Sequence, residues 1–257
     1  MEIITTHTNA DFDAFASMIA AKKLYPKACL IFPGTQEETL RSFISLTKGV
    51  VQLGTERDIP AYQQIKRIIV VETRLKDRLG KIGNFIEREG MTVHLYDHHP
   101  RTRHDMKAQK DVYRKYGSTV TILLKQIRKK ELSLSPLEAT IMLLGIYEDT
   151  GSLVFPSTTK EDVNMVSYLL SKGADLGVVR EYLKKQLSEK EISALVQLIQ
   201  NSRASVIKGV NVVTSWGWFS DMQFDFGMIA HRLLEIENYD VGFIFIKTIK
   251  KKIQVIA

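Results

Sequence analysis

One cysteine, Cys29, stands in 257 residues, which excludes an internal disulfide framework. A lone thiol fits a reducing compartment such as the cytoplasm, and here it is expected as a small core residue, not a nucleophile. Long apolar runs are also missing. The longest, such as residues 140–146, fall far short of a membrane span. The start, Met1-Glu2-Ile3-Ile4, has neither a basic n-region nor an apolar h-region, so no secretory signal is expected. Internal repeats and low-complexity segments are absent too, which sets aside solenoids and disordered tracts. What is present is ordinary for a soluble protein: 44% hydrophobic and 25% charged residues, enough for a real core in one or two domains. The formal charge of +7 favours anionic partners, nucleic acid first, although many of the cations fall on plain helix faces.

Strand and helix patterns alternate through the first two thirds. Residues 2–6, 28–32, 50–53, 68–71 and 91–96 predict strands; 13–24, 36–46 and 81–89 predict helices, the last ending at Gly90. Residues 68–71 are β-branched throughout, as a strand covered on both faces requires. This alternation predicts an α/β fold, a three-layer domain with a mainly parallel sheet. From residue 118 the pattern turns helical: 118–130, then Ser135-Pro136 to about 147, then 159–171 and 176–187. A charged helix at 188–201 is expected to serve as a linker. Residues 204–216 and 240–256 then predict strands around a helix at 225–237. The expected division is a domain over residues 1–185, a linker helix over 186–203 and part of a smaller α/β domain over 204–257. The β-like pattern reaches Ala257 without a breaker, which predicts a longer native chain.

Three clusters carry chemistry. Two apolar strands run into His7-Thr8-Asn9-Ala10-Asp11-Phe12-Asp13 and Asp97-His98-His99-Pro100, and an apolar helix runs into Glu148-Asp149-Thr150-Gly151. Such groups are costly to bury unless they are paired or hold a metal. In open α/β sheets ligands sit at the carboxyl ends of strands. His7, Asp11, Asp13, Glu72, Asp97 and His98 all follow strands on that side. Taken singly, Asp11 or Asp13 is as well explained as a helix cap. With His7 beside them, two carboxylates two apart in a turn can each meet a different metal. Adjacent histidines in an extended strand point to opposite sides, so one of His98 and His99 is available as a ligand and the other faces substrate or solvent. Asp97 can orient an imidazole. For Asp149, a helix end before a glycine turn explains Gly151 but not an acid after so apolar a helix. Imidazole and carboxylate donors together suit Mn²⁺, Zn²⁺ or Fe²⁺ better than Ca²⁺. They exceed what one metal needs, and two metals about 3.5–4 Å apart are the arrangement expected for phosphoester hydrolysis.

In this order and spacing the clusters resemble the DHH phosphoesterase family, over roughly residues 1–200. The first motif of that family matches His7, Asp11 and Asp13, its name-giving triplet matches Asp97, His98 and His99, and its fourth matches Asp149. The second motif matches Ile69-Val70-Val71-Glu72-Thr73-Arg74. The resemblance implies a manganese site in which His7, Asp11 and Glu72 bind one metal and Asp13, Glu72, His98 and Asp149 the other, with Mg²⁺ or another divalent ion as a substitute. It implies that His99 faces the scissile phosphate and that Asp97 supports the histidines. Arg101 and Arg103, in the basic segment after the triplet, are expected to draw in a phosphate backbone.

Three departures qualify the resemblance. Glu72 stands where the family has a bridging aspartate, and its extra methylene predicts one weak metal position and slow or lost hydrolysis. Ala10 replaces a proline. No glycine-rich histidine motif of the second, substrate-gripping domain appears before Ala257. The start also resembles the branch in which the DHH unit precedes CBS domains and a nucleotidyltransferase of the poly(A) polymerase or CCA-adding type. Two functions follow as expectations. One is a cytoplasmic metal-dependent phosphodiesterase acting on nucleic-acid ends, short oligonucleotides or dinucleotides. The other is an impaired module that binds metal and RNA or nucleotide for an attached nucleotidyltransferase. A homodimer is compatible with either, and no membrane is involved.

Overall fold

The computed structural model describes residues 1–47, 51–59, 64–183, 187–219, 224, 226–248 and 253–256. The chain divides into two compact units, Met1–Lys184 and Lys185–Ala257. Val50, residues 184–186, Asp225, residues 249–252 and Ala257 belong to segments anticipated above and lie outside the described residues.

The first unit runs β1 (Glu2–Thr5), α1 (Phe12–Leu24), β2 (Cys29–Phe32), α2 (Glu38–Leu46), β3 (Leu53–Thr55), β4 (Arg67–Val71), β5 (Thr92–Asp97), β6 (Lys110–Tyr113), α3 (Thr119–Lys129), α4 (Pro136–Asp149), α5 (Lys160–Ser171) and α6 (Leu176–Leu183). The six strands form one sheet in the order β3-β2-β1-β4-β5-β6, parallel at every pairing. Side chains alternate across it with period two. Ile4, Leu30, Phe32, Ile69, Val71 and Tyr96 face one core together with residues of α1, α3 and α4. Ile3, Ile31, Ile68, Val70, Val93 and Leu95 face the other, with Leu79, Ile82 and Ile86. Both faces of β4 are therefore dry, as its β-branched sequence demands.

That second core differs from expectation. In place of a helix at 81–89, residues Lys76–Phe85 form 3₁₀ turns with a kink at Gly80, where φ is 55°. A Cβ at Gly80 would also lie 2.5 Å from the Pro33 carbonyl oxygen, so the chain needs glycine for both reasons. The strand anticipated at 50–53 lies at Leu53–Thr55. Cys29 is exposed, not in the core, because it opens β2 at the rim of the sheet, before the strand becomes covered.

Local signals explain the helices that matter for the site. In α4, Ser135 and Glu138 form a capping box behind Pro136 at the first turn. The helix α1 is rich in small residues, and α4 crosses it at Gly145, where a Cβ would lie 2.7 Å from Ala16 Cβ and 3.1 Å from Asp13 Cα. Only a residue without a side chain lets the two helices come this close. That approach carries the end of α4, with Asp149, toward the start of α1, with Asp13.

The second unit contains α7 (Glu189–Gln200), β7 (Arg203–Ile207), β8 (Val210–Phe219), α8 (Phe226–Glu237), β9 (Val241–Thr248) and β10 (Ile253–Ile256). Its sheet has the order β10-β9-β8-β7, parallel between β8 and β9 and antiparallel at the two edges. Helix α7, read from the sequence as a linker, buries Ala194, Leu195 and Leu198 against Phe219, Ile229, Leu233, Ile244 and Ile246. Its apolar stripe makes it part of this core. Among the described residues, no helix is long and apolar enough to cross a membrane.

Candidate metal centre

The strand ends of the first unit deliver the polar clusters to one edge of the sheet. Thr6, just past β1, donates its hydroxyl to the Val71 carbonyl at 3.0 Å and so ties the ends of β1 and β4 together. His7 is buried, and its Nδ1 lies 2.9 Å from the Thr8 carbonyl. A carbonyl only accepts, so Nδ1 carries the proton and Nε2 is left to face Asp11 Oδ2 at 3.7 Å. Asp11 caps α1 with its other oxygen, Oδ1, which accepts from the Ala14 N–H at 2.9 Å. Cap and ligand, alternatives on sequence grounds, are thus served by different oxygens of one carboxylate. Asp13 is fully buried and accepts from the N–H of Thr119 at 3.1 Å and of Val120 at 3.4 Å, at the start of α3.

Glu72 follows β4 in the left-handed region, with φ at 66°. For a side chain this large, such a backbone costs about 1–3 kcal/mol and persists only where its surroundings impose it. Here the Glu72 N–H is held by the Tyr96 carbonyl at 3.1 Å. Its Oε1 lies 3.2 Å from His98 Nε2 and 3.3 Å from His99 Nδ1. His98 Nδ1 donates to the Tyr116 carbonyl at 3.0 Å, which fixes the tautomer and aims Nε2 at Glu72 and, at 3.1 Å, at Asp149 Oδ2. Asp97, fully buried at the end of β5, accepts from both the backbone N–H and Nδ1 of His99, each at 2.8 Å.

Two overlapping donor sets result. Asp13, Glu72, His98 and Asp149 place one ligand atom each within 4.8 Å of one another, and so do Glu72, Asp97, His98 and His99. Glu72 Oε2 and Asp97 Oδ2 are buried without a hydrogen-bond partner, and His98 Nε2 has only the two carboxylates before it. Buried polar atoms are rarely left so. Two orphaned carboxylate oxygens in a mixed carboxylate and imidazole cluster fit a divalent cation, and a backbone carbonyl holding the far nitrogen of His98 is the usual support of a metal-binding imidazole. The electrostatics agree. Burial, reinforced by Glu72 and Asp149, pushes the Asp13 carboxyl well above the usual range. Burial and the Glu72 charge also raise Asp149, against the pull of His98. Burial opposes the charge on Glu72, but His98 outweighs it and holds Glu72 below the carboxylate range. Burial likewise disfavours the His98 imidazolium, yet Asp149 and Glu72 push it up to about 11. The cluster wants positive charge, and in the bare chain His98 supplies it.

The description of the DHH family N-terminal domain matches residues 2–146. The chain belongs to the DHH family. It is 36% identical over 247 residues to the A-adding tRNA nucleotidyltransferase of Geobacter sulfurreducens, covering 96% of this chain and 28% of that protein. A protein of Streptococcus mutans described as a probable bifunctional oligoribonuclease and PAP phosphatase, NrnA, is 27% identical over 187 residues, covering 69% of this chain and 54% of that one. Among solved structures, an exopolyphosphatase-related protein from Bacteroides fragilis superposes with a TM-score of 0.76 at 17% identity, covering 99% of this chain and 77% of that one, which shows a common fold. The chain spans 28% of the length of the A-adding relatives from Geobacter and from Aquifex aeolicus.

In this DHH chain, Asp13, Glu72, His98 and Asp149 share one donor set and Asp97 and His99 complete the other, while His7 and Asp11 form a pair outside both. Arg101 is exposed, 2.9 Å from Asp111 Oδ2 and against the Tyr113 ring, and Arg103 Nε donates to His104 Nε2 at 3.0 Å. The segment bearing them is anchored. Arg74, almost fully buried, is paired to Asp105 and, at 2.6 Å, to Asp111. Sequence reasoning missed that anchor, although it quoted Arg74 beside Glu72. It also missed Glu148, whose Oε2 accepts from the N–H groups of Phe12 at 2.7 Å and Asp13 at 3.1 Å. Burial, with the charge of Asp11, pushes Glu148 up to about 8. The adjacent acids Glu148-Asp149 were the available signal. Asp162 is a third omission. Fully buried, it joins Gly117 and Thr121 to the Thr159 cap of α5.

Proposed function

We propose that this DHH domain hydrolyses phosphoesters of nucleotides, short oligonucleotides or nucleic-acid ends with a divalent cation, Mn²⁺ by preference. The observation that carries the reading is the convergence of one ligand atom each from Asp13, Glu72, His98 and Asp149 within 4.8 Å, with the buried Glu72 Oε2 lacking a partner. These four residues would hold the firm metal, and His7 with Asp11 would hold a second, weaker one. A bound metal supplies an acidified water and a charge for a phosphate oxygen. The chain does the rest. The Tyr116 carbonyl and the Thr119 hydroxyl fix His98 at its ring and its N–H. Asp97 orients His99, whose side chain is 49% exposed. Hydrogen bonding to Asp97, with the nearby Glu72 charge, raises the His99 pKa, which keeps a proton on the ring for a departing oxygen. Arg101, two residues further on and paired to Asp111, would offer an exposed cation to a second phosphate.

A second reading rests on the 36% identity to an A-adding tRNA nucleotidyltransferase. In it, the chain is the DHH portion of a longer protein with CBS and nucleotidyltransferase domains, and it binds metal and RNA for that partner without turnover. Assaying Mn²⁺-dependent hydrolysis of a chromogenic phosphodiester and of short RNA, with this chain and with the longer protein, separates the two. Hydrolysis that EDTA and Asp149→Asn both abolish supports the first. Metal binding without hydrolysis in either form overturns it in favour of the second.

A further inference from the structure

Four acids are buried among the described residues, and three of them, Asp13, Glu72 and Asp97, stand in the donor sets. The fourth, Asp162, stands in neither. It lies in the first turn of α5 and accepts four hydrogen bonds. Two come from Thr159, through its N–H at 2.7 Å and its hydroxyl at 2.6 Å. The capping box at the start of α5 explains those. It does not explain the other two. The Gly117 N–H donates to Oδ2 at 2.8 Å and the Thr121 hydroxyl donates to Oδ1 at 2.6 Å, across 45 and 41 residues of sequence. These bonds bracket the turn into α3, and that turn meets the metal centre. The Tyr116 carbonyl accepts from His98 Nδ1 at 3.0 Å, and the Thr119 hydroxyl accepts from the His98 N–H at 3.2 Å. The N–H groups of Thr119 and Val120 reach Asp13 at 3.1 and 3.4 Å. Gly117 packs on the neighbour of Asp149: a Cβ there would lie 2.6 Å from Thr150 Cγ2. A second tie runs beside this one, with Lys125 Nζ 2.8 Å from Glu161 and 3.0 Å from the Tyr116 hydroxyl. Lys125 and Glu161 are both open to water, so that pair holds the turn weakly. The buried carboxylate is the stronger tie, because each donor it loses leaves polar groups unpaired away from water.

We propose that Asp162 is a positioning residue of the metal centre: through Gly117 and Thr121 it holds the carbonyl and N–H groups that aim His98 and Asp13. It touches neither metal nor substrate. The role rests on the metal-binding reading given above, so one readout is taken without metal. Three variants of the 257-residue chain separate positioning from plain stability. Asp162→Ala removes all four bonds. Thr159→Ala removes the hydroxyl bond of the cap and leaves Gly117 and Thr121 tied. Asp162→Asn keeps an oxygen for the N–H groups and gains an amide that donates to the Thr121 hydroxyl. Each is measured at a temperature where it is folded. Calorimetry gives Mn²⁺ affinity, and NMR in EDTA gives the exchange rate of the His98 Nδ1 proton, assigned by its loss in His98→Gln. Asp162→Ala lowers Mn²⁺ affinity roughly 10–100-fold and speeds exchange of that proton. Thr159→Ala lowers Tm and moves neither, while Asp162→Asn recovers most of the loss. Where Asp162→Ala fails to fold, Thr121→Val, which deletes one buried bond, moves both readouts in the same direction by less. Wild-type values of both in folded Asp162→Ala or Thr121→Val overturn the proposal. So does a loss of affinity in Thr159→Ala as large as in Asp162→Ala, which would make the effect one of stability. A wild-type chain that takes up no Mn²⁺ overturns the metal reading instead, and the His98 proton in EDTA still decides whether Asp162 positions the ring.

Discussion

Glu148 offers the sharpest test of the electrostatic reading. It caps the first turn of α1 through the N–H groups of Phe12 and Asp13, yet burial and Asp11 push its pKa from 4.5 up to about 8. Because the folded chain holds this proton more tightly than the unfolded chain, the group contributes stability that is complete below pH 4.5. That contribution is lost as pH rises from 4.5 to about 8. At about 1.4 kcal/mol per pH unit, the ceiling is ~5 kcal/mol, and partial relaxation of the site brings it to roughly 2–4 kcal/mol. Glu148→Gln keeps an oxygen that accepts both N–H bonds and removes the titration. In EDTA, the variant should therefore match wild type near pH 4.5 and exceed it at pH 8.5. For a unit of this size the difference is roughly 5–15 °C in Tm. Thermal denaturation at half-unit pH steps measures it. A variant that is equally destabilised at both ends of the range would show that the carboxylate acts only as a cap, and that the crowding of acids around α1 has no energetic effect.

Four further outcomes follow from the same geometry. Saturating Mn²⁺ at about 100 times its Kd should stabilise the chain by ~2.7 kcal/mol, and thermal shift should show most of this lost in Asp149→Asn but kept in His7→Ala; the reverse pattern would exchange the two metal positions. Since His98 is held protonated up to about 11, metal binding at its Nε2 should release at least one proton at pH 7, and calorimetry giving identical apparent enthalpies in buffers of different ionisation heat would contradict this. Glu72→Asp draws the carboxylate back by roughly one bond, about 1.5 Å, and should raise both Mn²⁺ stoichiometry and turnover; equal values in the two proteins would mean that Glu72 bridges as well as an aspartate. Gly145→Val should destabilise by about 1–3 kcal/mol in chemical denaturation and weaken metal binding by parting α1 from α4, and an unchanged midpoint would show that the crossing has room.

Much of the first unit was legible because its central strands are covered on both faces. β2 and residues 68–71 of β4 are apolar without interruption, Ile3-Ile4 carry β1, and β5, though broken by His94, runs through Val93, Leu95 and Tyr96 to the acid that ends it. The edge strand β6, Lys-Asp-Val-Tyr, has two exposed residues and no apolar run, so nothing in its composition distinguished it from a solvated basic loop. The 3₁₀ turns at Lys76–Phe85 follow from a left-handed glycine packed against Pro33, a contact 47 residues distant that no local window contains. At the site, the clusters around Asp13, His98 and Asp149 announced themselves as charged groups ending apolar elements. Glu148 did not, because its partners lie at the other end of the domain in sequence and reach it only through the α1–α4 crossing. Arg74 was hidden for the same reason: Asp105 and Asp111 lie on the far side of the triplet.

The left-handed backbone at Glu72 bears on how this chain could change over generations. Glycine at that position would adopt φ near 66° freely, relieving about 1 kcal/mol or more, and would delete the carboxylate that both donor sets share. The backbone at residue 72 therefore favours the substitution that dismantles the cluster, while the buried pairing of Glu72 with His98 opposes it. Whether the side chain is one methylene longer than an aspartate is then a question about rate, separate from whether the cluster is in use.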